Sequence, residues 1–298
     1  MKNLFYLFCF FLCFQMQAQG FDDVEIVPTK VTDNIYMLEG AGGNIGLMVG
    51  EENVFMIDGQ FADLTDKILA AIKEISDKPI LYLINTHWHG DHTGGNENMH
   101  KHGTSIIAHE NVRERMKTGV TMEFFQRQVP PSPDAALPDI TFSNNMALHF
   151  EEEPILIYYF GAGHTNGDAV IYFAQSNVLH TGDLYFAGKY PFFDISSGGS
   201  IIGLINVLEK ILFLADNKTK IIPGHGALSN KEELNAYYEM IKEIKQSVAV
   251  LVDAGKDLKT AKSLNLTQKY DAQYGDGFIK PEQIVELIFQ SLMNDKGK

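Results

Sequence analysis

The chain has 298 residues, 45% of them hydrophobic and 21% charged, and a formal net charge of -14. That composition is ordinary for a globular protein and excludes a disordered, collagen-like or coiled-coil chain. The acidic balance repels a phosphate backbone, and no dense Lys/Arg block relieves it, so no nucleic-acid partner is expected.

Lys2 precedes an almost wholly apolar run, Leu4 to Phe14, and small and polar residues follow, with Ala18 and Gln19 before Gly20. This is the pattern of a secretory signal peptide over residues 1–19, and it predicts a periplasmic or secreted protein. The run is about half of the roughly 20 residues a spanning helix needs, so no membrane span is expected in the mature chain. The only cysteines, Cys9 and Cys13, lie inside it. The mature protein is therefore expected to have no disulfide and no thiolate for catalysis or metal binding.

Apolar alternation predicts strands at 35–38, 46–49 and 54–57. Leu64, Ile68, Ile72 and Ile75 recur at helical spacing over 62–77, and a buried strand follows at 80–84. Residues 105–108 read as a short strand, 110–128 as an amphipathic helix, and the proline-rich stretch 128–139 as a surface loop. A second half repeats the theme. Strands are expected at 155–159, 169–173, 178–180 and 220–222, with a helix at 201–214. From Lys231 onward the chain reads as a helical tail broken at Gly255 and at 275–277. Two similar halves of strands alternating with helices predict an α/β arrangement of two packed sheets with helices outside, over a single domain at 20–298.

The chemistry concentrates where strands end. After the strand at 80–84 comes Asn85-Thr86-His87-Trp88-His89-Gly90-Asp91-His92-Thr93-Gly94-Gly95. His87 and His89 are two apart, so on extended backbone both rings project to one side. Asp91 and His92 follow a glycine, where the chain can turn toward a neighbouring point. Imidazole and carboxylate suit zinc and similar divalent ions, iron and manganese included, and one such cluster can serve two adjacent metals. Each metal wants three or four protein ligands, so more must come from elsewhere. Three further strand ends offer them: His164 in Gly161-Ala162-Gly163-His164-Thr165-Asn166-Gly167-Asp168, Asp183 in Thr181-Gly182-Asp183, and His225 in Pro223-Gly224-His225-Gly226.

The order HxHxDH, GHTxGD, TGD and PGHG, spanning about Asp58 to Gly226, resembles the metallo-β-lactamase superfamily. The resemblance implies an αββα four-layer sandwich of two mixed sheets with the site at one edge. It places His87, His89 and His164 at a first metal and Asp91, His92 and His225 at a second, with Asp183 as a bridging carboxylate. Asp58 matches a position whose carboxylate orients a ligand histidine, and Asp168 reads as structural. The best-known β-lactamases of the family put a cysteine at the second metal. The mature chain has none, which excludes that subclass and leaves one with only histidine and aspartate ligands open.

The resemblance further implies a metal-dependent hydrolase, with two zinc ions per chain, in which a hydroxide held between the metals attacks the carbonyl of a small substrate: a β-lactam, lactone or thioester. Asp91 would also act in catalysis, orienting the nucleophile or shuttling its proton. Tyr185 and Tyr190 are candidates for contacting an oxyanion. His100, His102, His109, His149 and His180 match no ligand position and read as surface or packing residues. Two other reactions fit the fold: phosphodiester hydrolysis, and di-iron oxidoreductase chemistry. His89 stands against the second, since those relatives usually carry glutamate there.

Overall fold

The computed structural model describes residues 20–296, so the expected signal peptide at 1–19 lies outside the described residues. In chain order, β1 (Val27–Lys30), β2 (Ile35–Glu39), β3 (Ile45–Val49) and β4 (Val54–Ile57) lead into α1 (Thr65–Ile75). Then come β5 (Ile80–Ile84), α2 (Gly90–Thr93), α3 (Asn96–Lys101), β6 (Ser105–His109), α4 (Glu110–Thr118), the β7 (Val120–Met122) and β8 (Arg127–Val129) pair, and β9 (Ile140–Phe142). The second half holds β10 (Met146–Phe150), β11 (Glu153–Tyr158), β12 (Val170–Phe173), β13 (Val178–His180), α5 (Ile201–Leu214), β14 (Lys220–Ile222) and β15 (Ser229–Asn230). The tail folds as α6 (Lys231–Asp253), α7 (Leu258–Ser263), α8 (Asp271–Tyr274) and α9 (Pro281–Lys296).

Two mixed sheets result. One has the order β1-β2-β3-β4-β5-β6-β9 and the other β10-β11-β12-β13-β14-β15. Strands β4, β5, β6 and β9 run parallel to one another, as do β13 and β14, so the sites follow their carboxyl ends. The period of two explains the layering. In β4, Phe55 and Ile57 pack into the seam between the sheets against Phe150, Ile155 and Phe173, while Val54 and Met56 pack against Leu64, Ile68 and Ile72 of the α1 layer. On the far face of the second sheet, Val170, Leu179 and Ile221 are covered by α5, α6 and α9. Helix, sheet, sheet and helix thus form four layers, as the sequence implies. Among the described residues no helix is long and apolar enough to cross a membrane.

One expected element is shorter than read. The helix over 110–128 ends at Thr118, because Gly119 takes φ +74 and its α-carbon lies so close to the Val129 carbonyl that a Cβ there would sit 2.6 Å from it. The chain then turns into the β7–β8 hairpin, whose tip carries Phe124 and Phe125.

Candidate metal centre

All seven predicted ligand residues meet at one edge of the sandwich. His87, His89, His164 and Asp183 offer ligand atoms within 4.8 Å of one another, and Asp91, His92 and His225 form a second such group. The local sequence explains the convergence. Gly182, at φ +51, abuts the Thr86 side chain, where a Cβ would sit 2.6 Å from it; a Cβ on Gly224 would sit 2.1 Å from the Asp183 carboxylate. Paired amide hydrogen bonds between Asn85 and Asn96, at 3.1 and 2.8 Å, hold the start of the ligand segment. Asn44 ties the opposite rim, donating to the carbonyls of Pro223 and Gly226 at 3.0 and 2.8 Å.

Each buried histidine has its outward nitrogen committed. His87 Nδ1 lies 3.0 Å from Thr86 Oγ1, which itself donates to Asp58 Oδ2 at 2.7 Å, so the imidazole carries its proton on Nδ1. His92 Nδ1 donates to the same Asp58 oxygen at 2.7 Å, and His164 Nδ1 to the Phe192 carbonyl at 2.8 Å. His89 uses the opposite nitrogen, with Nε2 3.3 Å from Asp194 Oδ2. In the neutral rings the inward nitrogens are therefore bare acceptors.

Those bare atoms crowd one another. His164 Nε2 and His89 Nδ1 are 2.9 Å apart, and His92 Nε2 lies 3.1 Å from Asp183 Oδ1. His87 Nε2, His92 Nε2 and Asp183 Oδ1 are buried without a hydrogen-bond partner among the described residues. Buried acceptors that face acceptors are costly unless a cation lies between them. The donor set of imidazole and carboxylate is that of a divalent metal site, so the residues fit the metal centre. Asp183 addresses both groups: Oδ2 lies 3.7 Å from His87 Nε2 and 3.5 Å from His164 Nε2, while Oδ1 is 3.4 Å from His225 Nε2.

The electrostatics say the same. Burial works against a charge on His92, yet Asp183, Asp58 and Asp91 raise its proton affinity well above that of an ordinary imidazole. His225 is lifted to about 9 against its own burial, by Asp183 and then Asp91. Burial drives His87 the other way, well below the usual imidazole range, with His92 adding to it. Asp183 resists its own burial and stays well below the usual carboxylate range through His225, His92 and His87. The Asp91, His92 and His225 side of the centre, facing Asp183, thus attracts positive charge, while burial strips it from His87 and His164.

Around the centre, other expectations meet mixed fates. Tyr185 and Tyr190 do not face it: the Tyr185 hydroxyl pairs with Ser229 Oγ at 2.8 Å and that of Tyr190 with Asp271 at 2.8 Å, so both phenols pack under the C-terminal helices. Asp168 stays off the cluster and accepts from the backbone of Gly163 and Thr165 and from the Thr165 hydroxyl. His180 is buried; its Nδ1 accepts from Gly182 N–H and its Nε2 donates to the Asn44 carbonyl at 3.1 Å. His109 caps α4 by accepting from Asn111 N–H. Asp194, which orients His89 from 105 positions away, went unread in the sequence, where no glycine or histidine motif marks it.

Aromatic rings frame the mouth. Phe186 stacks on His225 with centroids 5.2 Å apart and planes 8° apart. Phe192 lies 5.9 Å from His89 and 5.7 Å from His164, and Phe125 of the β7–β8 hairpin lies 5.0 Å from Phe192. Phe278, at 68% exposure, continues the row 5.3 Å from Phe125. Asp91 is the candidate ligand most open to solvent, with 28% of its side chain exposed.

Comparison with known proteins agrees with this geometry. A family model described as the metallo-beta-lactamase superfamily matches residues 38–225. The chain is 20% identical to a metallo-beta-lactamase type 2 of Bacteroides fragilis over 84% of its own length and 99% of that protein's. It is 32% identical to a hydroxyacylglutathione hydrolase of Pelagibacter ubique over 52% of its length and 56% of that protein's. Among solved structures, a metallo-beta-lactamase from Pontibacter korlensis superposes with a TM-score of 0.60 at 18% identity, covering 73% of this chain and 99% of that one. With that match across well over half its length, and the His and Asp cluster inside it, the chain belongs to the metallo-beta-lactamase superfamily and is a metal-dependent hydrolase of that fold.

Proposed function

We propose that this chain is an exported hydrolase that holds two divalent metal ions, zinc by its donor set, and cleaves a small substrate at a carbonyl: a β-lactam, a lactone or a thioester. The observation that carries the proposal is the Asp183 carboxylate, which turns one oxygen to each ligand group. In this reading His87, His89 and His164 would hold one ion and Asp91, His92 and His225 the other, with the Asp183 carboxylate placed between the two groups. Metal ions so placed supply Lewis acidity, polarising a substrate oxygen and lowering the pKa of water from about 16 toward about 7.

The chain's own groups do the rest. Asp91, at the mouth with its Oδ2 3.3 Å from His225 Nε2, orients the attacking water and accepts its proton. Asp58, Thr86, Asp194 and the Phe192 carbonyl fix the tautomers of the ligand histidines. The wall of Phe124, Phe125 and Phe192 receives an apolar body and excludes bulk water. That wall, beside a carboxylate-rich centre, suits a neutral carbonyl compound better than a charged phosphodiester. The names of the two sequence relatives support a cyclic amide and a thioester respectively. Residues 20–298 act as one unit, helical tail included, after removal of 1–19 on export.

The test is a hydrolysis screen of the metal-loaded protein from Gly20 onward against a cephalosporin, a γ-lactone, an acyl thioester and an aryl phosphodiester. The proposal expects turnover of a carbonyl substrate, abolished by chelator and by His87→Ala. Turnover of the phosphodiester alone refutes it. N-terminal sequencing of the protein from its native cell tests export, where an intact Met1 in a cytosolic fraction is the contrary result.

A further inference from the structure

The ligand segment has a second face. His87 and His89 look toward the metal centre, and Trp88 between them looks away, packing with Val112, Met116 and Ala136. Behind it lies a cavity of about 170 Å³ walled by Trp88, Thr93 and Glu97 on one side and Arg115, Met116 and Ser132 on the other. This cavity shares no ligand atom with the centre.

Two residues of its wall carry donors with no partner among the described residues, one of them buried. Trp88 is 3% exposed and its indole N–H has no hydrogen-bond partner among the described residues. A buried donor without a partner is rare in folded proteins and points to a group that should occupy the space beside it. Arg115 donates from Nε to Asn166 Oδ1 at 2.8 Å; the Asp194 carboxylate acts on its charge from beyond ion-pair distance, and its terminal nitrogens have no hydrogen bond or ion pair among the described residues. The guanidinium edge left open is the planar two-donor fork that matches a carboxylate.

We infer that the cavity behind Trp88 is a binding site for a small free carboxylate, whose oxygens accept from the Arg115 guanidinium and the Trp88 indole N–H while a short alkyl chain lies against Met116. Both protein groups are pure donors, so the occupant must be an acceptor. At roughly 30 Å³ per water the space equals about six waters, the size of a three- or four-carbon acid. Glu97 on the wall is already paired with Lys101 at 2.9 Å, and its charge weakens the affinity of the site for an anion. Because the Trp88 and His89 rings lie 4.8 Å apart, an occupant also braces the segment that carries His87 and His89.

Trp88 is the only tryptophan in the chain, so emission excited at its indole reports this cavity together with the His89 side of the same segment, and the Arg115 variant separates the two. The metal-loaded protein is titrated with sodium propionate at constant ionic strength set with sodium chloride. A saturating change in emission is expected for propionate and none for chloride alone. Arg115→Met should raise the dissociation constant by about tenfold, the loss of one charged two-donor contact. Glu97→Gln, a change at a half-buried side chain that removes a like charge, should lower it about twofold. Circular dichroism checks that both variants fold, and Glu97→Gln decides the matter if Arg115→Met does not. No saturable change, the same change with chloride, or a dissociation constant untouched by Arg115→Met (which puts the anion on the metals instead) overturns the inference. So does an unchanged constant in Glu97→Gln.

Discussion

Asp58 supports ligands of both groups at once, and Asp58→Asn is therefore the sharpest perturbation of the centre. Its Oδ2 accepts from His92 Nδ1 and from the Thr86 hydroxyl, both at 2.7 Å, and its Oδ1 accepts from Thr86 N–H at 2.8 Å. Asparagine tolerates the φ of 60° found here and keeps the shape, so the backbone should not move. It has one acceptor oxygen and one NH₂ where three donors converge. Whichever way the amide is turned, at least one buried donor faces an N–H. If the NH₂ takes the Oδ2 position, Thr86 must accept rather than donate, His87 Nδ1 loses its acceptor, and the proton moves to the nitrogen meant for the metal. Loss of one such supporting group typically costs 10–100-fold in metal affinity. Because His87 and His92 lie in different groups, both metals should weaken, by about 1.4 to 2.7 kcal/mol each. Competition with a chromophoric zinc chelator measures this. Affinities within about twofold of wild type, in a folded variant, refute the relay from Asp58 through Thr86 to His87.

Three further outcomes follow from single residues. Asp91→Asn should keep at least one metal by elemental analysis while kcat falls by roughly a hundredfold or more, the scale of a positioned proton acceptor; equal rates remove Asp91 from the mechanism. Burial holds His180 near a pKa of about 4, below the 6.5 of an ordinary imidazole, so the unfolded chain binds the extra proton and stability is lost as pH falls from 6.5 toward 4. Urea unfolding of metal-free protein across that window should show a shallower acid-side loss for His180→Gln than for wild type, and parallel curves contradict this. Gly224→Ala places a Cβ 2.1 Å from Asp183 Oδ1, so the variant should bind less metal by the chelator assay while the rest of the fold keeps its circular dichroism; full metal content shows that the carboxylate can move aside.

The fold and the clustering of the candidate ligands were legible because short-range pattern and ordered motifs, read with the family resemblance, carry both. Short apolar runs such as Val54–Ile57 mark strands buried on both faces, and each candidate ligand segment lies just beyond a strand and contains a glycine that permits close approach. What escaped reading depends on distant chain or on backbone. Asp194 serves His89 across the fold, and the Phe192 carbonyl serves His164 through an atom every residue has. Strands β1, β9 and β10 sit at or near sheet edges with largely exposed side chains, so no apolar alternation announces them. The helix at 110–128 was overextended because Phe124 and Phe125 continue an amphipathic spacing that Gly119 physically ends. Tyr185 and Tyr190 follow Asp183 closely in sequence, yet packing against the C-terminal helices turns both away, a tertiary effect with no local signature.

Asp183 is proposed to join the two candidate ligand groups into one dinuclear centre. Elemental analysis of the purified protein after gentle dialysis tests it most directly: the two groups predict close to two equivalents of divalent metal per chain, falling together with activity in Asp183→Ala. A firm value of one equivalent or none in fully active protein contradicts it.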